Sequence, residues 1–394
     1  MQTTVPLHSP DFFVGDPYPA YKELRATSPV VWNDVTKFWA LLKYEDIRYV
    51  SSNPALFTST KGITIPDPSF SAPPVQEGNL IFTDPPRHRQ LRKLINTGFT
   101  RRRVAVLEPK VREIVYRLLD DVQPGGTLEF AEGMAAPLPT RMIAELLGAP
   151  PEHWEQFRRW SDACTGTADS EIELDAFVAI GELYEYFLQL IAARRMHARD
   201  DILSVLAEAE IDGVRLTDDD LLNFAFLLLV AGNETTRNLI ALGTLALIAH
   251  PDECAKLVED PSLIPSAVEE MLRWTTPVTH MARTATADVE IRGQRIKAGD
   301  TIVMLYGSAN RDEDVFGSDA EEFKVTRHPN PHIAFGCGEH SCVGSQLARL
   351  EACVMFEVLL GRYPKLELAG DVDRMRATMV PGVKRMPVRL GTGD

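Results

Sequence analysis

The sequence predicts one large, mainly α-helical domain with a small β region. Apolar side chains recur three and four residues apart in many segments of the 394-residue chain, which is the spacing of one helix face. Strand patterns are short, and no linker rich in Pro, Gly or Ser separates one half from the other. We therefore expect residues 1–394 to fold as a single domain.

The individual elements follow from local patterns. Helices are expected over 18–28, 109–122, 139–148, 177–195 and 344–361. Strands are expected within 30–42, and 289–305 alternates apolar and polar residues around Gly293, as a small hairpin does. The irregular segment 58–79 is rich in Pro, Ser and Gly, and a loop of that length is usually functional or disordered.

Composition narrows the class of protein. Apolar residues make up 45% and charged residues 25%, and the net charge of −15 argues against indiscriminate binding to nucleic acid. Five scattered cysteines favour a reducing compartment. The first residues lack a secretory pattern, and the longest apolar run, 221–232, is well short of the roughly 20 residues of a membrane span. We expect a cytoplasmic protein without a membrane span.

One predicted helix is unusually long. Thr217 is a suitable N-cap, three aspartates follow it, and His250-Pro251 ends an apolar stretch that continues to Ile248. The helix would have about 32 residues and a length of roughly 48 Å. Its centre, 231–236, is small and polar, which conflicts with its surroundings. That conflict fits a functional site or a kink filled by neighbouring side chains.

A second unusual segment, 335–344, carries a cysteine and several glycines immediately before the helix that begins at Gly344. A helix N-terminus stabilises a thiolate at Cys342, and a single thiolate donor suits an iron porphyrin. Two alternatives remain at this point: an inert buried cysteine, or a zinc site formed by Cys337, His340 and Cys342. Structural zinc sites need four ligands, and no second ligand pair is evident.

The pattern F-x-x-G-x-H-x-C-x-G at 335–344, followed by Leu347-Ala348-Arg349, resembles the haem-binding signature of the cytochrome P-450 family. The resemblance implies haem b between a long distal helix and a proximal cysteine loop. It also implies Cys342 as the iron ligand, with Phe335 and Gly344 beside the haem. The expected reaction is insertion of one oxygen atom from O2 into a substrate.

Residues 231–236 are similar to the oxygen-activation motif of that family. The resemblance places Ala231 against the haem and gives Gly232 the role of leaving room for O2. Glu234 and Thr235 would relay the protons that O–O cleavage consumes. Peroxide-driven relatives often lack this pair, so O2 with an electron supply is favoured; a peroxide-dependent haem-thiolate enzyme is the alternative.

Basic side chains are expected to hold the haem propionates. His88 and Arg92 lie four residues apart on one face of a helix that we expect Asp84 to cap, with Pro85 near its first position. In the family, donors matching His88, Arg92, Arg283 and His340 bind the propionates.

A fold-supporting ion pair is expected on the helix that contains Glu270-x-x-Arg273. Spacing alone permits Glu269 to pair with Arg273 equally well. The resemblance selects Glu270 and adds Arg327, although 316–324 is about one residue longer than the usual family pattern.

The resemblance implies substrate contacts from the 58–79 loop, Ala231, Thr235, Val278 and Thr279, with 164–180 as a lid. Apolar walls imply an apolar small-molecule substrate. Segments 231–238, 308–313 and 330–332 are most similar to an actinobacterial branch that oxidises steroid side chains and methyl-branched lipids. Terpenoid and macrolide hydroxylases share the fold.

Electron supply is expected from a ferredoxin with its ferredoxin reductase. From Arg87 to Arg103 there are seven Lys or Arg residues and no acidic residue, in a chain of net charge −15. Such a basic segment is suited to steering an acidic iron–sulfur protein towards the thiolate side.

Overall fold

A computed structural model describes residues 2–65, 78–120, 122–123, 125–165 and 174–392. Its helices are α1 Pro10–Val14, α2 Tyr18–Thr27, α3 Tyr44–Ser52, α4 Arg87–Asn96, α5 Arg101–Val106, α6 Glu108–Asp120, α7 Pro137–Leu146, α8 Trp154–Thr165, α9 Ala176–Met196, α10 Ile202–Ala207, α11 Asp218–Ala249, α12 Pro251–Glu259, α13 Ile264–Thr275, α14 Tyr306–Ala309, α15 Glu313–Phe316 and α16 Ser345–Arg362. Its strands are β1 Val30–Asn33, β2 Phe38–Leu41, β3 Phe57–Thr58, β4 Thr127–Glu129, β5 Glu210–Ile211, β6 Val214–Arg215, β7 His280–Ala285, β8 Val289–Ile291, β9 Gln294–Ile296, β10 Thr301–Leu305, β11 Lys365–Leu368, β12 Asp373–Arg374, β13 Val383–Arg385 and β14 Pro387–Gly391.

The mainly helical class with a small β region is confirmed, and helices form at all five predicted segments, as α2, α6, α7, α9 and α16. Both predicted strand regions also form. Strand β1 pairs antiparallel with β2, and β8 pairs with β9 across a turn in which Arg292 and Gly293 have φ of 48° and 75°. A glycine second in that turn meets the left-handed backbone at no steric cost. The single-domain organisation stays a prediction.

The largest sheet has the strand order β1-β2-β10-β7-β3 and lies beside the helices. Strand β10 runs parallel to β2 and antiparallel to β7, with Ile302 opposite Arg283. The main core is helical: α11 packs against α7, α8, α9, α13 and α16. The sheet therefore delivers Arg283 to one edge of a core organised around α11.

Helix α11 spans 32 residues and begins and ends as the sequence predicts. The Thr217 side chain accepts the Asp220 N–H, and the Asp220 carboxylate accepts the Thr217 N–H, which forms a capping box. The helix continues unbroken through 231–236. The small and polar residues 231–236 are thus accommodated within the α-helix.

The start of α4 differs from the prediction. The helix begins at Arg87, with Pro86 at the cap position, so Asp84 is not its N-cap. Of the two N–H groups that a capping carboxylate at Asp84 could accept, two and three residues later, Pro86 lacks the first. Asp84 instead accepts hydrogen bonds from the Ser59 N–H (3.0 Å) and the Thr58 hydroxyl, which ties the 58–59 strand end to α4.

Glu270 of α13, and not Glu269, forms the buried ion pair with Arg273. Residue spacing alone had allowed either glutamate. Glu270 makes two 2.8 Å bonds with Arg273, and Arg327 Nε lies 3.2 Å from it. Arg327 also reaches Asp319 at 3.0 Å, so the unusual 316–324 segment still closes on this cluster. The neighbouring Glu269 faces Arg349 instead.

Among the described residues, one helix, α9, has the length and apolar composition needed to cross a bilayer. It packs against α8, α10 and α11 within the fold. Its Glu182 accepts a hydrogen bond from the Trp160 indole, and its Arg194 is held by Asp201. Location in the cytoplasm stays a prediction.

Candidate active site

A large cavity lies between the middle of α11 and the loop that precedes α16. The side contributed by α11 is a stripe at helical spacing: Leu227, Leu228, Ala231, Gly232, Thr235, Thr236 and Leu239. The facing wall is contributed by Phe335, Gly336, Cys337, His340, Ser341, Cys342, Val343, Gly344, Leu347, Ala348 and Glu351. Cys342 therefore faces the small and polar centre of α11.

The loop at 335–344 is folded tightly so that Cys342 reaches this cavity. The Cys342 N–H donates to the Phe335 carbonyl at 2.8 Å. Gly336 and Gly338 have φ of 68° and 72°, and a Cβ on Gly338 would collide with the Ser51 carbonyl. Burial raises the pKa of the Cys342 thiol, while the N–H groups of Gly344 and Ser345 oppose that rise.

The zinc alternative lacks a site in the part of the chain that the structure describes. No group of three or more His, Cys, Asp or Glu side chains is arranged there to hold a metal ion. His340 Nε2 instead lies 3.2 Å from the Ser59 hydroxyl, although His340 and Cys342 share the cavity wall.

His88, Arg92, Arg283 and His340 line one end of the cavity together. The His88 side chain is 1% exposed, neither ring nitrogen has a hydrogen-bond partner among the described residues, and its ring centre is 4.2 Å from that of His340. Burial lowers the pKa of both histidines, that of His340 to about 3, so both are neutral near pH 7. Buried donors without partners, beside two guanidinium groups, fit the carboxylates of an anionic cofactor.

Thr235 and Glu234 lie on different faces of α11. The Thr235 side chain lines the cavity, and its hydroxyl donates to the Ala231 carbonyl at 2.8 Å. Glu234 is buried behind that wall, 3.5 Å from Arg237, which Glu132 and Asp162 also hold. Burial raises the pKa of Glu234, although Arg237 opposes the rise. This carboxyl is therefore able to exchange a proton nearer neutral pH than an ordinary glutamate.

Gly232 lines the cavity, but its lack of a side chain also serves helix packing. A Cβ at this position would lie 2.5 Å from Ile143 Cδ1 and 2.9 Å from Ile143 Cγ1. Ile143 belongs to α7, which packs closely against α11. The predicted role, room for O2, is therefore incomplete, because the space that a side chain would take is already filled by Ile143.

Of the two neighbouring residues predicted to contact substrate, only one lies in the cavity wall. Val278 lines the cavity, but Thr279 does not: its hydroxyl donates to the Thr378 carbonyl at 2.6 Å, which joins two backbone segments. Of the predicted loop and lid, residues 66–77 and 166–173 lie outside the described residues.

Sequence reasoning missed several wall residues. Leu227 and Leu228 lie one helical turn before Ala231 and Gly232, so helical spacing could have found them. Ile143 and Tyr306 carry no local sign of their position, because tertiary packing alone brings α7 and the start of α14 to the cavity.

Comparison with known proteins identifies the family. A family model for cytochrome P-450 matches residues 172–383, and a steroid C26-monooxygenase of Mycobacterium tuberculosis is 40% identical over 379 residues, covering 94% of this chain and 92% of that protein. The chain belongs to the cytochrome P-450 family. A methyl-branched lipid omega-hydroxylase of the same species is 38% identical over 360 residues, covering 89% and 83% of the two chains.

Solved cytochrome P-450 structures share the fold over nearly the whole chain. A Mycobacterium marinum cytochrome P-450 in complex with pseudoionone has a TM-score of 0.90 and 35% identity, covering 99% of both chains. CYP109E1 from Bacillus megaterium, in complex with testosterone, has a TM-score of 0.85 and 35% identity, covering 95% of this chain and 99% of that one. The protein is thus a bacterial monooxygenase of the actinobacterial branch, which uses O2 and haem b held by a cysteine thiolate.

The packing of Gly232 against Ile143 predicts a suppressible defect. Gly232→Ala should lower the stability of the haem-loaded protein by about 1–3 kcal/mol, since the added methyl group overpacks the α7–α11 contact. The double variant Gly232→Ala/Ile143→Ala should lose less thermal stability than the sum of the two single-variant losses, because removing the Ile143 side chain makes room for the added methyl group. Ile143→Ala alone is the control and should be destabilising by itself. If the loss of thermal midpoint in the double variant equalled the sum of the losses in the two single variants, the packing explanation would be contradicted.

Proposed function

We propose that this cytochrome P-450 hydroxylates a steroid or a methyl-branched lipid at a hydrocarbon position. The overall reaction is R–H + O2 + 2 e⁻ + 2 H⁺ giving R–OH and H2O. The observation that carries the proposal is the distribution of the cavity walls: the cations gather at one end, while Leu80, Leu227 and Val278 give the rest an aliphatic surface. Such a surface buries a hydrocarbon well and offers little to a charged group.

In this proposal Cys342 is the iron ligand, and the bound haem supplies a redox-active iron. His88, Arg92, Arg283 and His340 bind its propionates, which would give the unpartnered His88 ring an acceptor. Phe335, Gly344 and Ala231 line the cavity and would pack against the macrocycle. Glu270, Arg273 and Arg327 support the fold and touch neither haem nor substrate.

The substrate class also draws on the relatives. Proteins named steroid C26-monooxygenase and methyl-branched lipid omega-hydroxylase are both similar to this chain over most of its length. Both names describe molecules with a long saturated hydrocarbon part, which suits the aliphatic wall. A terpenoid-like substrate is the second candidate, because the Mycobacterium marinum structure holds pseudoionone.

Binding spectra of the haem-loaded protein test the substrate class. A sterol ketone and a methyl-branched fatty acid should each shift the ferric spectrum towards high spin, because a hydrocarbon in the cavity excludes water from the iron. Replacement of Val278 by Asp should weaken both shifts by about tenfold or more, since a carboxylate would be buried against hydrocarbon. Val289→Asp, outside the cavity, is the control. A shift with pseudoionone alone would favour the terpenoid candidate.

Proton delivery is assigned to Thr235 and Glu234. The Thr235 hydroxyl lies at the cavity surface, and Glu234 lies one residue away on the buried side, with its Oε1 3.5 Å from Arg237 Nη1. Thr235 would donate protons at the oxygen site. Glu234 would then supply a new proton to Thr235 from the buried cluster that contains Arg237 and Asp162.

Loss of either group should uncouple electron use from hydroxylation. Thr235→Ala should lower product formed per O2 consumed by about tenfold or more and release peroxide instead, because a positioned proton donor is lost. Glu234→Gln should slow hydroxylation and remove the part of its pH dependence that this carboxyl contributes. Thr244→Ala, which breaks the same type of hydroxyl-to-carbonyl bond elsewhere on α11, should leave coupling intact. Full coupling in Thr235→Ala would refute the assignment.

Electrons are proposed to come from an acidic ferredoxin that docks on the basic segment 87–103. Three of its seven cations are engaged: Arg87 with Asp220, Arg89 with Glu339, and Arg92 at the cavity. The other four, Lys93, Arg101, Arg102 and Arg103, are exposed and have no ion pair within the described residues. They are therefore available to a partner, and α5, which carries the three arginines, packs against α16 behind Cys342.

Reversing charge on this segment should slow electron delivery. Arg102→Glu with Arg103→Glu should lower the rate of ferredoxin-driven reduction at least tenfold at low salt and weaken its dependence on ionic strength. Lys22→Glu with Arg199→Glu changes the net charge equally at other exposed positions and should have a small effect. Dithionite reduction should be unaffected in both proteins. Equal ferredoxin rates in the two double variants would rule out this docking site.

A further inference from the structure

Arg349, the last residue of the Leu347-Ala348-Arg349 stretch, has no part in the function proposed above, yet its side chain makes several specific contacts. Its Nε donates to Glu269 Oε1 at 2.6 Å, and its Nη2 donates to Glu269 Oε2 at 2.9 Å. This two-pronged bond joins α16 to α13 and fixes the guanidinium in one orientation.

The fixed guanidinium lies over Phe335, with its carbon 4.5 Å from the ring centre. Phe335 is also the residue whose carbonyl accepts the Cys342 N–H at 2.8 Å. Arg349 is therefore packed against the residue that anchors the cysteine backbone. Its charge acts in the same direction as that of Arg92, since both oppose the rise in the Cys342 pKa that burial causes.

Glu269 accepts a hydrogen bond from a second side chain, that of His332. His332 Nδ1 accepts the Ala334 N–H at 3.2 Å, so the ring proton lies on Nε2, 3.0 Å from Glu269 Oε2. Burial raises the pKa of Glu269, but the hydrogen bonds from His332 and Arg349 outweigh it and hold the pKa at about 2. The Arg349 guanidinium is thus paired with a Glu269 carboxylate that also lies 3.0 Å from His332 Nε2.

We propose that Arg349, positioned by Glu269, tunes the reduction of the iron through the net charge of this pair beside the cysteine loop. The inference rests on the proposed ligation of iron by Cys342. Reduction adds one negative charge to the site, and a nearby positive charge favours it while a negative charge opposes it. The Arg349–Glu269 pair nearly cancels its own field, so removing either member exposes the charge of the other.

Spectroelectrochemical titration of the haem-loaded protein separates this role from a structural one. Arg349→Gln should lower the reduction potential, and Glu269→Gln should raise it, each by about a tenfold change in the reduction equilibrium, or about 59 mV for one electron. The double variant should return towards the wild-type potential, because its charges again sum to zero. A merely structural role would shift both single variants the same way and the double variant at least as far.

Two controls complete the test. Arg349→Lys keeps the charge and loses the two-pronged bond, so its potential should lie closer to wild type than that of Arg349→Gln. Glu357→Gln removes a charge from the same helix at its ion pair with Arg112 and should not shift the potential. If the carbon monoxide difference spectrum of the wild-type protein lacked the thiolate-ligated band, ligation by Cys342 would fail. A normal band with unchanged potentials in Arg349→Gln and Glu269→Gln would overturn this inference alone.

Discussion

Two adjacent carboxylates on α13 hold together the parts of the chain that lead into the cysteine loop. Glu270 is completely buried and binds Arg273, Arg327 and the side chain of Asn330, while its neighbour Glu269 binds Arg349 and His332. Removing one partner from a buried ion pair costs about 3–5 kcal/mol, because the other charge is left unpaired in a poorly polarisable interior. The segment 319–334 therefore has little freedom, and the loop that follows it starts from a fixed position.

The segments that carry the chemistry could be found from the sequence because each has an unusual local pattern of residues. Cys342 lies among glycines directly before a helix, and the 231–236 segment is small and polar within an otherwise apolar helix. The bounds of α11 follow from Thr217 and from His250-Pro251, since caps and prolines act on neighbouring backbone atoms. The same two segments carry the first of the matches to the cytochrome P-450 family.

What the sequence could not supply depends on contacts between distant segments. The side chain of Asp84 binds backbone and hydroxyl donors at 58–59 rather than its own helix, and Thr279 binds the Thr378 carbonyl rather than facing the cavity. Glycine at 232 was explained by oxygen, whereas the structure adds Ile143 of α7 as its neighbour. Residue spacing alone could not choose between Glu269 and Glu270, because both lie within helical reach of Arg273; the family resemblance selected Glu270.

The separation of the cavity into a charged end and aliphatic walls has an evolutionary consequence. Exchanging one aliphatic residue for another at Leu227 or Val278 alters shape by a methyl group or two, and leaves the His88 and Arg283 end untouched. A lineage can therefore change the shape of the molecule it accepts through small steps that do not endanger retention of the prosthetic group.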